Sequence, residues 1–367
     1  MIDRRRLTLG MGAAFMTSTA SRAFATPTRA DFAQRLSQAE AGGKVSGLHT
    51  LLVSQDNQLL FEHYGQGQDE IWGTPLGQVT FGPTVLHDLR SVSKSVVGLL
   101  YGIALADGKV PPPEAKLYAQ FPQYADLATQ PDRERLTVAH VLSMTLGMEW
   151  DELTIPYGDP RNSENAMEAA PDRYRFVLER SIVGEPGTKW TYCGGATALL
   201  GHLIAKGAGQ PLHDYARRAL FDPLGFGPSE WTTGHDGEPH TASGLRLLPR
   251  DMLKVGTLVL AHGAWQGRQI VPADWVARIT TPVVAIDAVR GYGYQWYIID
   301  LPVPSQPQPE HLFAGIGWGG QRLFVLPRLK LVVAMNCGNY GRSGLEQSRI
   351  TTAVLTEVVL PALASPS

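Results

Sequence analysis

Strand-forming runs occupy both ends of this 367-residue chain, and helix-forming segments fill the stretch between them. Leu48–Val53 and Leu59–Tyr64 are apolar runs on either side of Ser54, Gln55, Asp56 and Asn57, which predicts a β-hairpin. Leu323–Leu326 and Leu331–Met335 flank Pro327–Lys330 in the same way and precede a predicted closing helix, Leu345–Leu360. Between them, apolar periodicity and stop signals predict helices at Ser91–Ala106, Thr137–Thr145, Pro171–Arg180, Gly195–Lys206, Leu212–Phe221, Arg250–Ala261 and Pro272–Ile279. Strands at the ends and helices between them argue for an α+β layout. The expected organisation is one discontinuous α/β sheet domain from residues 31–90 and 285–367, with residues 91–284 inserted as a mostly helical domain and an active site at the interface. The Pro-rich segment Pro302–Pro309 reads as a loop.

Composition narrows the function. Apolar residues make up 44% and charged residues 18%, enough apolar content for a large core and too little charge for a disordered chain. Thirty-two Lys+Arg against thirty-four Asp+Glu give a net charge of −2, so no basic excess exists to hold nucleic acid. Two cysteines, Cys193 and Cys337, cannot build a disulfide framework or a four-thiolate zinc site. His-Glu-x-x-His, Cys-x-x-Cys and Gly-x-Ser-x-Gly are all absent, and neither Gly43-Lys44 nor Gly108-Lys109 continues into a P-loop. Gly315-Ile316-Gly317-Trp318-Gly319-Gly320 fits Gly-x-Gly-x-x-Gly, but a strand rather than a helix follows it. Dinucleotide binding is therefore rejected, and the glycines are read as allowing close backbone approach. The expectation is an enzyme without metal or cofactor and without an obligatory protein partner.

The first 25 residues read as an address. Arg4, Arg5 and Arg6 precede a short, weakly apolar stretch, and Ala23-Phe24-Ala25 fits a small-x-small cleavage site. The Arg pair before Leu7 resembles a twin-arginine signal. Cleavage near Ala25 would leave an exported chain starting at Thr26, in the periplasm and without stable membrane insertion.

The chemistry points to Ser91-Val92-Ser93-Lys94, the only Ser-x-x-Lys in the chain. Residues three apart share a helix face, so the Lys94 amine can reach the Ser91 hydroxyl. A helix N-terminus and burial both disfavour the ammonium, which makes an amine available as a base for the serine. The same residues also suit a surface lysine in a first helical turn with a serine cap.

From Leu48 onward the chain resembles the serine β-lactamase and penicillin-recognising family, in particular its class C-type branch of β-lactamases, esterases, D-amino-acid peptidases and amide hydrolases. The resemblance rests on four elements in order: RSVSKSVVGLL around Ser91, LTVAHVLSMTLGMEW from Leu136, GEPGTKWTYCGGATALLG from Gly184, and GIGWGGQRLFVLPRLKLVV from Gly315. It implies an antiparallel sheet flanked by helices, as in β-lactamases and transpeptidases. It also implies that Ser91 is acylated and that Lys94 and Tyr192 share acid and base duty. The backbone N–H groups of Ser91 and Gln321 would form the oxyanion hole. A phenol serves as base only beside a cation such as Lys94.

Two departures from the family pattern bear on substrate. Gly194 stands where the family's Tyr-x-Asn motif has its Asn, so a side-chain amide contact to substrate or to Lys94 is missing. Trp318, followed by Gly319 and Gly320, stands where β-lactamases usually carry Lys, and an indole cannot pair with a carboxylate. The expected substrate is therefore a small carboxylic ester or amide. The alternatives are a β-lactamase, D-aminopeptidase or DD-peptidase, and a catalytically silent binding protein of the same fold. Trp318, Gly319, Gly320, Tyr157 and Tyr294 are the candidate substrate contacts, and Trp150, Asp151, Tyr292 and Trp296 lie in segments able to wall a cleft.

Overall fold

The structure, a computed structural model, describes residues 28–303 and 306–364. Its centre is an eight-stranded sheet in which every neighbouring pair is antiparallel. The strands are β1 (Leu48–Gln55), β2 (Gln58–Tyr64), β3 (Val284–Ala285), β4 (Arg290–Tyr292), β5 (Tyr297–Leu301), β6 (Glu310–Gly317), β7 (Gln321–Leu326) and β8 (Leu331–Cys337). Their order across the sheet is β3-β4-β5-β6-β7-β8-β1-β2. The two ends of the chain thus meet where β8 pairs with β1, from Leu48 opposite Cys337 to Gln55 opposite Leu331.

The first hairpin is tighter than its sequence pattern implied. β1 runs on to Gln55, β2 starts at Gln58, and the turn is Asp56-Asn57, both at positive φ (48° and 66°). That backbone suits a two-residue hairpin turn, and Asp and Asn tolerate it well. Alternation sorts the sheet residues to two faces. Leu51, Val53, Phe324, Leu326, Val333 and Met335 face one core, and Leu52, Leu323, Val325, Val332 and Ala334 face the other. Both faces are covered, which explains why β1 and β8 are nearly continuous apolar runs.

On the first face lie helix α1 (Arg29–Ala41), missed in the sequence, and the C-terminal helix α6, which opens at Gly344–Ala353 and continues to Ala364. Thr28 and Asp31 cap α1 reciprocally, and Phe32, stacked on Phe61 at 5.3 Å, ties it to β2. On the second face lie α2 (Val92–Ala106) and α5 (Pro249–Leu260). Helices α3 (Ser163–Ala169) and α4 (Gly194–Ala208) belong to the helical stretch beyond them.

Two further pairings escaped the sequence reading. Gln66–Ile71 and Thr74–Thr80 form a hairpin of their own, and His87–Asp88, Leu245–Leu247 and Glu230–Trp231 form a small three-stranded sheet. The Gly-x-Gly-x-x-Gly stretch also has a strand before it, β6, as well as one after it. The objection to a dinucleotide site therefore rests on the missing helix alone. The segment read as an export signal, residues 1–25, lies outside the described residues. No helix among the described residues is long and apolar enough to cross a membrane.

Candidate active site

Helix α2 carries the site, and the protein fixes it from several sides. It is buried on almost every face, as its apolar composition requires. Trp296 Nε1 donates to the Ser95 carbonyl (3.1 Å) and Trp275 Nε1 to the Gly98 carbonyl (2.9 Å). Two glycines of β6 let the sheet close on its N-terminus. A Cβ at Gly315 would meet Val92 at 3.0 Å, and one at Gly317 would meet the Leu89 carbonyl at 2.4 Å. That approach brings the strand turn before Gln321 against the turn before Ser91.

Ser91 is the N-cap residue of α2, and its side chain makes no capping bond. The residue before it, Arg90, has φ +48°, a backbone that L side chains seldom adopt. Lys94 is 2% exposed, and its Nζ donates to Ser91 Oγ at 2.9 Å and to the Ala242 carbonyl at 3.1 Å. The same Nζ lies 4.8 Å from the centre of the Tyr192 ring. Tyr192 sits just before α4, in a strand-like approach anchored by the Thr191 N–H to the Met144 carbonyl (2.9 Å). Burial, followed by the charge of Glu152, pushes the Tyr192 phenol well above its usual range, and a hydrogen bond with Ser91 works the other way. That push favours the phenol form, and so the acid half of the acid and base duty expected of Lys94 and Tyr192.

In front of Ser91 lies a cavity of about 800 Å³. Tyr157 and Trp318 form one wall, edge to face at 5.5 Å, and Trp72 and Tyr340 also line it. Trp318 is held there by its Nε1, which donates to the Tyr340 carbonyl at 3.1 Å. Its charged lining is acidic: Glu70, Glu164 and Glu168 against Arg90. Arg90 is already paired with Glu70 and lies 3.5 Å from Asp88. Among the described residues no lysine lines the cavity, and the one arginine that does is engaged.

The other candidates separate. Gly319 and Gly320 form the turn behind Trp318, both at positive φ (84° and 99°), and do not line the cavity. The Gln321 side chain faces inward, where Nε2 donates to the Cys337 carbonyl (2.7 Å) and Oε1 accepts from the Cys337 N–H (3.1 Å). Tyr294 is a correction: its ring packs against Trp275 at 5.6 Å, away from the cavity, because its backbone abuts Gly98 on α2. Trp150, Tyr292 and Trp296 are core rings, and Asp151 holds an exposed turn through Thr154. Cys193 and Cys337 are free and buried, and burial pushes both thiols up.

Four residues that the sequence reading passed over complete the site. Glu152 accepts from the Gly194 N–H (2.6 Å), Trp150 Nε1 (2.8 Å) and the Tyr157 hydroxyl (3.2 Å). Glu164 Oε1 accepts from the Ser243 hydroxyl (3.1 Å), which accepts from Trp72 Nε1 (2.9 Å). Burial and the neighbouring Glu152 push the Glu164 carboxyl up to about 8, with Lys94 acting in the opposite direction. The signal in the sequence was the glycine at 194, which left room for something else.

Among the described residues one group has the spacing of metal ligands: His49, Asp69 and His87, whose ligand atoms lie within 4.8 Å of one another. His87 Nδ1 faces the Asp88 carbonyl at 2.9 Å and so carries its proton there. Its Nε2 then accepts from His49 Nδ1 at 2.9 Å. Burial pushes both imidazoles down to about 4, so the two rings form a neutral link between β1 and the strand before Ser91.

Comparison with known proteins adds the family. The Beta-lactamase family model matches residues 32–352. A 6-aminohexanoate-dimer hydrolase from Paenarthrobacter ureafaciens is 23% identical over 306 residues, which cover 77% of this chain and 70% of that protein. Among solved structures, the hydrolase EstCE1, described as having promiscuous acyltransferase activity, superposes with a TM-score of 0.69 at 18% identity, covering 89% of this chain and 99% of its own. A penicillin-binding protein homologue from Caulobacter crescentus gives a TM-score of 0.66 at 16% identity, with coverage of 91% and 97%.

Proposed function

Because this chain belongs to the β-lactamase family of serine hydrolases, we propose that it cleaves small carboxylic esters or amides through an acyl-enzyme on Ser91. The observation that carries this reading is the Lys94 amine placed 2.9 Å from Ser91 Oγ at the foot of an acid-lined cavity. An unprotonated Lys94 takes the Ser91 proton as Oγ bonds to the substrate carbonyl carbon, and the carbonyl electron pair moves to oxygen. Backbone N–H groups of Ser91 and Gln321 receive that oxyanion. The carbon–leaving-group bond then breaks, and the departing oxygen or nitrogen takes the Tyr192 phenol proton, which Lys94 replaces. Water repeats the sequence to release the acid. A neutral phenol suits the donor role, in keeping with the upward push on Tyr192.

The cavity charge supports neutral or cationic substrates over carboxylates. An anionic β-lactam or peptide terminus would meet Glu70, Glu168 and an arginine that already has partners. The test is a pair of initial rates on protein lacking residues 1–25, with a short-chain nitrophenyl ester in one arm and a chromogenic cephalosporin in the other. The expected result is ester turnover at least tenfold above cephalosporin turnover, a difference of about 1.4 kcal/mol. Equal rates would overturn the role given to Trp318 and the acidic lining. Export belongs to the same proposal, carried by the signal-like residues 1–25, and is checked by the intact mass of the mature protein: a start at Thr26 supports it, and a retained Arg4–Arg6 segment refutes it.

A further inference from the structure

The glycine at 194 leaves a space beside the catalytic lysine, and two carboxyl groups occupy its edge. A Cβ built on Gly194 would lie 3.1 Å from Glu152 Oε2, 3.3 Å from Glu152 Oε1 and 3.2 Å from Glu164 Oε1. Any longer side chain there would have to displace both acids. Glu152 is oriented by three donors, one of them the Gly194 N–H itself. Glu164 is oriented by Ser243, the neighbour of the Ala242 carbonyl that holds Lys94. One acid is therefore tied to the first residue of α4, two positions after Tyr192, and the other to the segment that fixes Lys94.

We infer that Glu152 and Glu164 stand in for the side chain missing at position 194, as positioning residues that set the charge around Lys94 and Tyr192 during proton transfer. The inference rests on the serine-hydrolase reading of the site. Glu152 does not line the cavity, so it acts through Tyr192 and Gly194, whereas Glu164 reaches the cavity wall.

The electrostatics give the pair a direction. When Ser91 gives its proton to Lys94, a cation forms in a buried site, and the Glu152 carboxylate lowers its cost. The same charge makes a phenolate at Tyr192 unfavourable, so the proton passes through Tyr192 to the leaving group and does not stay off it. Glu164 contributes by remaining protonated near neutral pH. The charged and titratable groups facing it are Glu152 and Tyr157 from the loop after Trp150, Lys94 from α2, Tyr192 before α4, and Glu168 from its own helix. Glu168 is itself held by Arg173 (3.0 Å) and His240 (2.8 Å). As pH rises past the titration of Glu164, a second anion appears beside Lys94 and Tyr192. That anion makes Tyr192 a poorer proton donor to the leaving group and holds the proton that Lys94 has taken from Ser91, so turnover falls on the alkaline side.

The experiment measures two rates against pH from 6 to 10 for the wild-type protein and for Glu152→Gln, Glu164→Gln and Ser91→Ala. One is nitrophenyl-ester turnover. The other is covalent labelling by a fluorophosphonate, in which Ser91 Oγ bonds to phosphorus, fluoride leaves with the bonding pair, and the serine proton passes to Lys94. Glu152→Gln is expected to lower kcat about 30-fold with KM within threefold, a part of the 10²–10⁴ that positioned acid–base groups supply. Glu164→Gln is expected to move the alkaline fall in ester turnover upward by at least one pH unit, whatever its maximal rate. A thermal midpoint for each variant shows that it is folded. Should Glu152→Gln not fold, Glu152→Asp, which keeps the charge, and Glu164→Gln carry the test. Folded glutamate variants with wild-type rates and an unmoved alkaline limb overturn the inference while Ser91→Ala remains inert. A Ser91→Ala protein that still labels and turns over removes the serine-hydrolase reading, and the inference with it.

Discussion

Replacing Ser91 with alanine is expected to lower ester turnover by about 10⁴-fold or more while leaving the protein folded. The magnitude follows from triad-type hydrolases, where removing the nucleophile leaves only the contribution of the oxyanion hole and binding. The separation of activity from stability follows from this chain. Ser91 is an N-cap in position, but its hydroxyl makes no capping bond, so the usual cost of about 1 kcal/mol for losing a capping side chain does not arise. Lys94 keeps its bond to the Ala242 carbonyl after the hydroxyl is gone. Ester turnover and a thermal midpoint on the same preparation check both halves. Turnover above a tenth of wild type would remove Ser91 from the nucleophile's place.

The second large effect is on the turn behind Trp318. Gly319→Ala is expected to destabilise the protein by about 2–5 kcal/mol and to lower turnover with it. One part is backbone: Gly319 sits at φ +84°, where an added Cβ is strained by about 1–2 kcal/mol. The other part is packing. The new Cβ would come within 2.5 Å of two Tyr340 ring carbons and 2.8 Å of Gln321 Nε2, and overpacking typically costs about 1–3 kcal/mol. Tyr340 holds the Trp318 indole through its carbonyl, so moving the ring moves the cavity wall. Gly73→Ala isolates the backbone part, because Gly73 has φ +89° with nothing within 4 Å of its Cβ position. Chemical denaturation of both variants gives the comparison. Equal losses in the two would mean that Tyr340 yields freely and that the turn is not a tight support.

The proposed nucleophile and its lysine were legible because they are local: three residues apart on one helix face, and their side chains meet at 2.9 Å. The two hairpins nearest the chain ends were legible for the same reason, since alternation and turn residues are read within a dozen positions. Tyr192 needed the family resemblance, because nothing in its own neighbourhood says that its ring will rest against Lys94. Glu152, Glu164, Ser243 and Trp72 were not legible from their own neighbourhoods, and Gly194 signalled only that something else fills its space. Their roles come from contacts across 42, 79 and 171 residues of chain, and an isolated glutamate in a loop looks like solvated surface. Tyr294 went astray in the opposite sense. An aromatic residue near the predicted cleft suggested a wall, but the close approach of its backbone to Gly98 turned the ring toward Trp275. The strands Val284–Ala285 and Arg290–Tyr292 were too short to announce themselves and exist because longer neighbours offer them an edge.

The pairing of β1 with β8 has a consequence for how the molecule comes into being. β1 leaves the ribosome early, and its partner follows only after most of the chain has been translated, on the order of half a minute later at ordinary elongation rates. Throughout that interval the hairpin β1–β2 carries an open, apolar edge of the kind that invites other strands. Gln321 emerges in the same late interval, so a nascent chain has Ser91 and Lys94 without the backbone that would face them. On the proposed mechanism, hydrolysis waits for that late segment. A message cut short before Cys337 would leave β1 without its full edge partner, a natural client for chaperones and proteases.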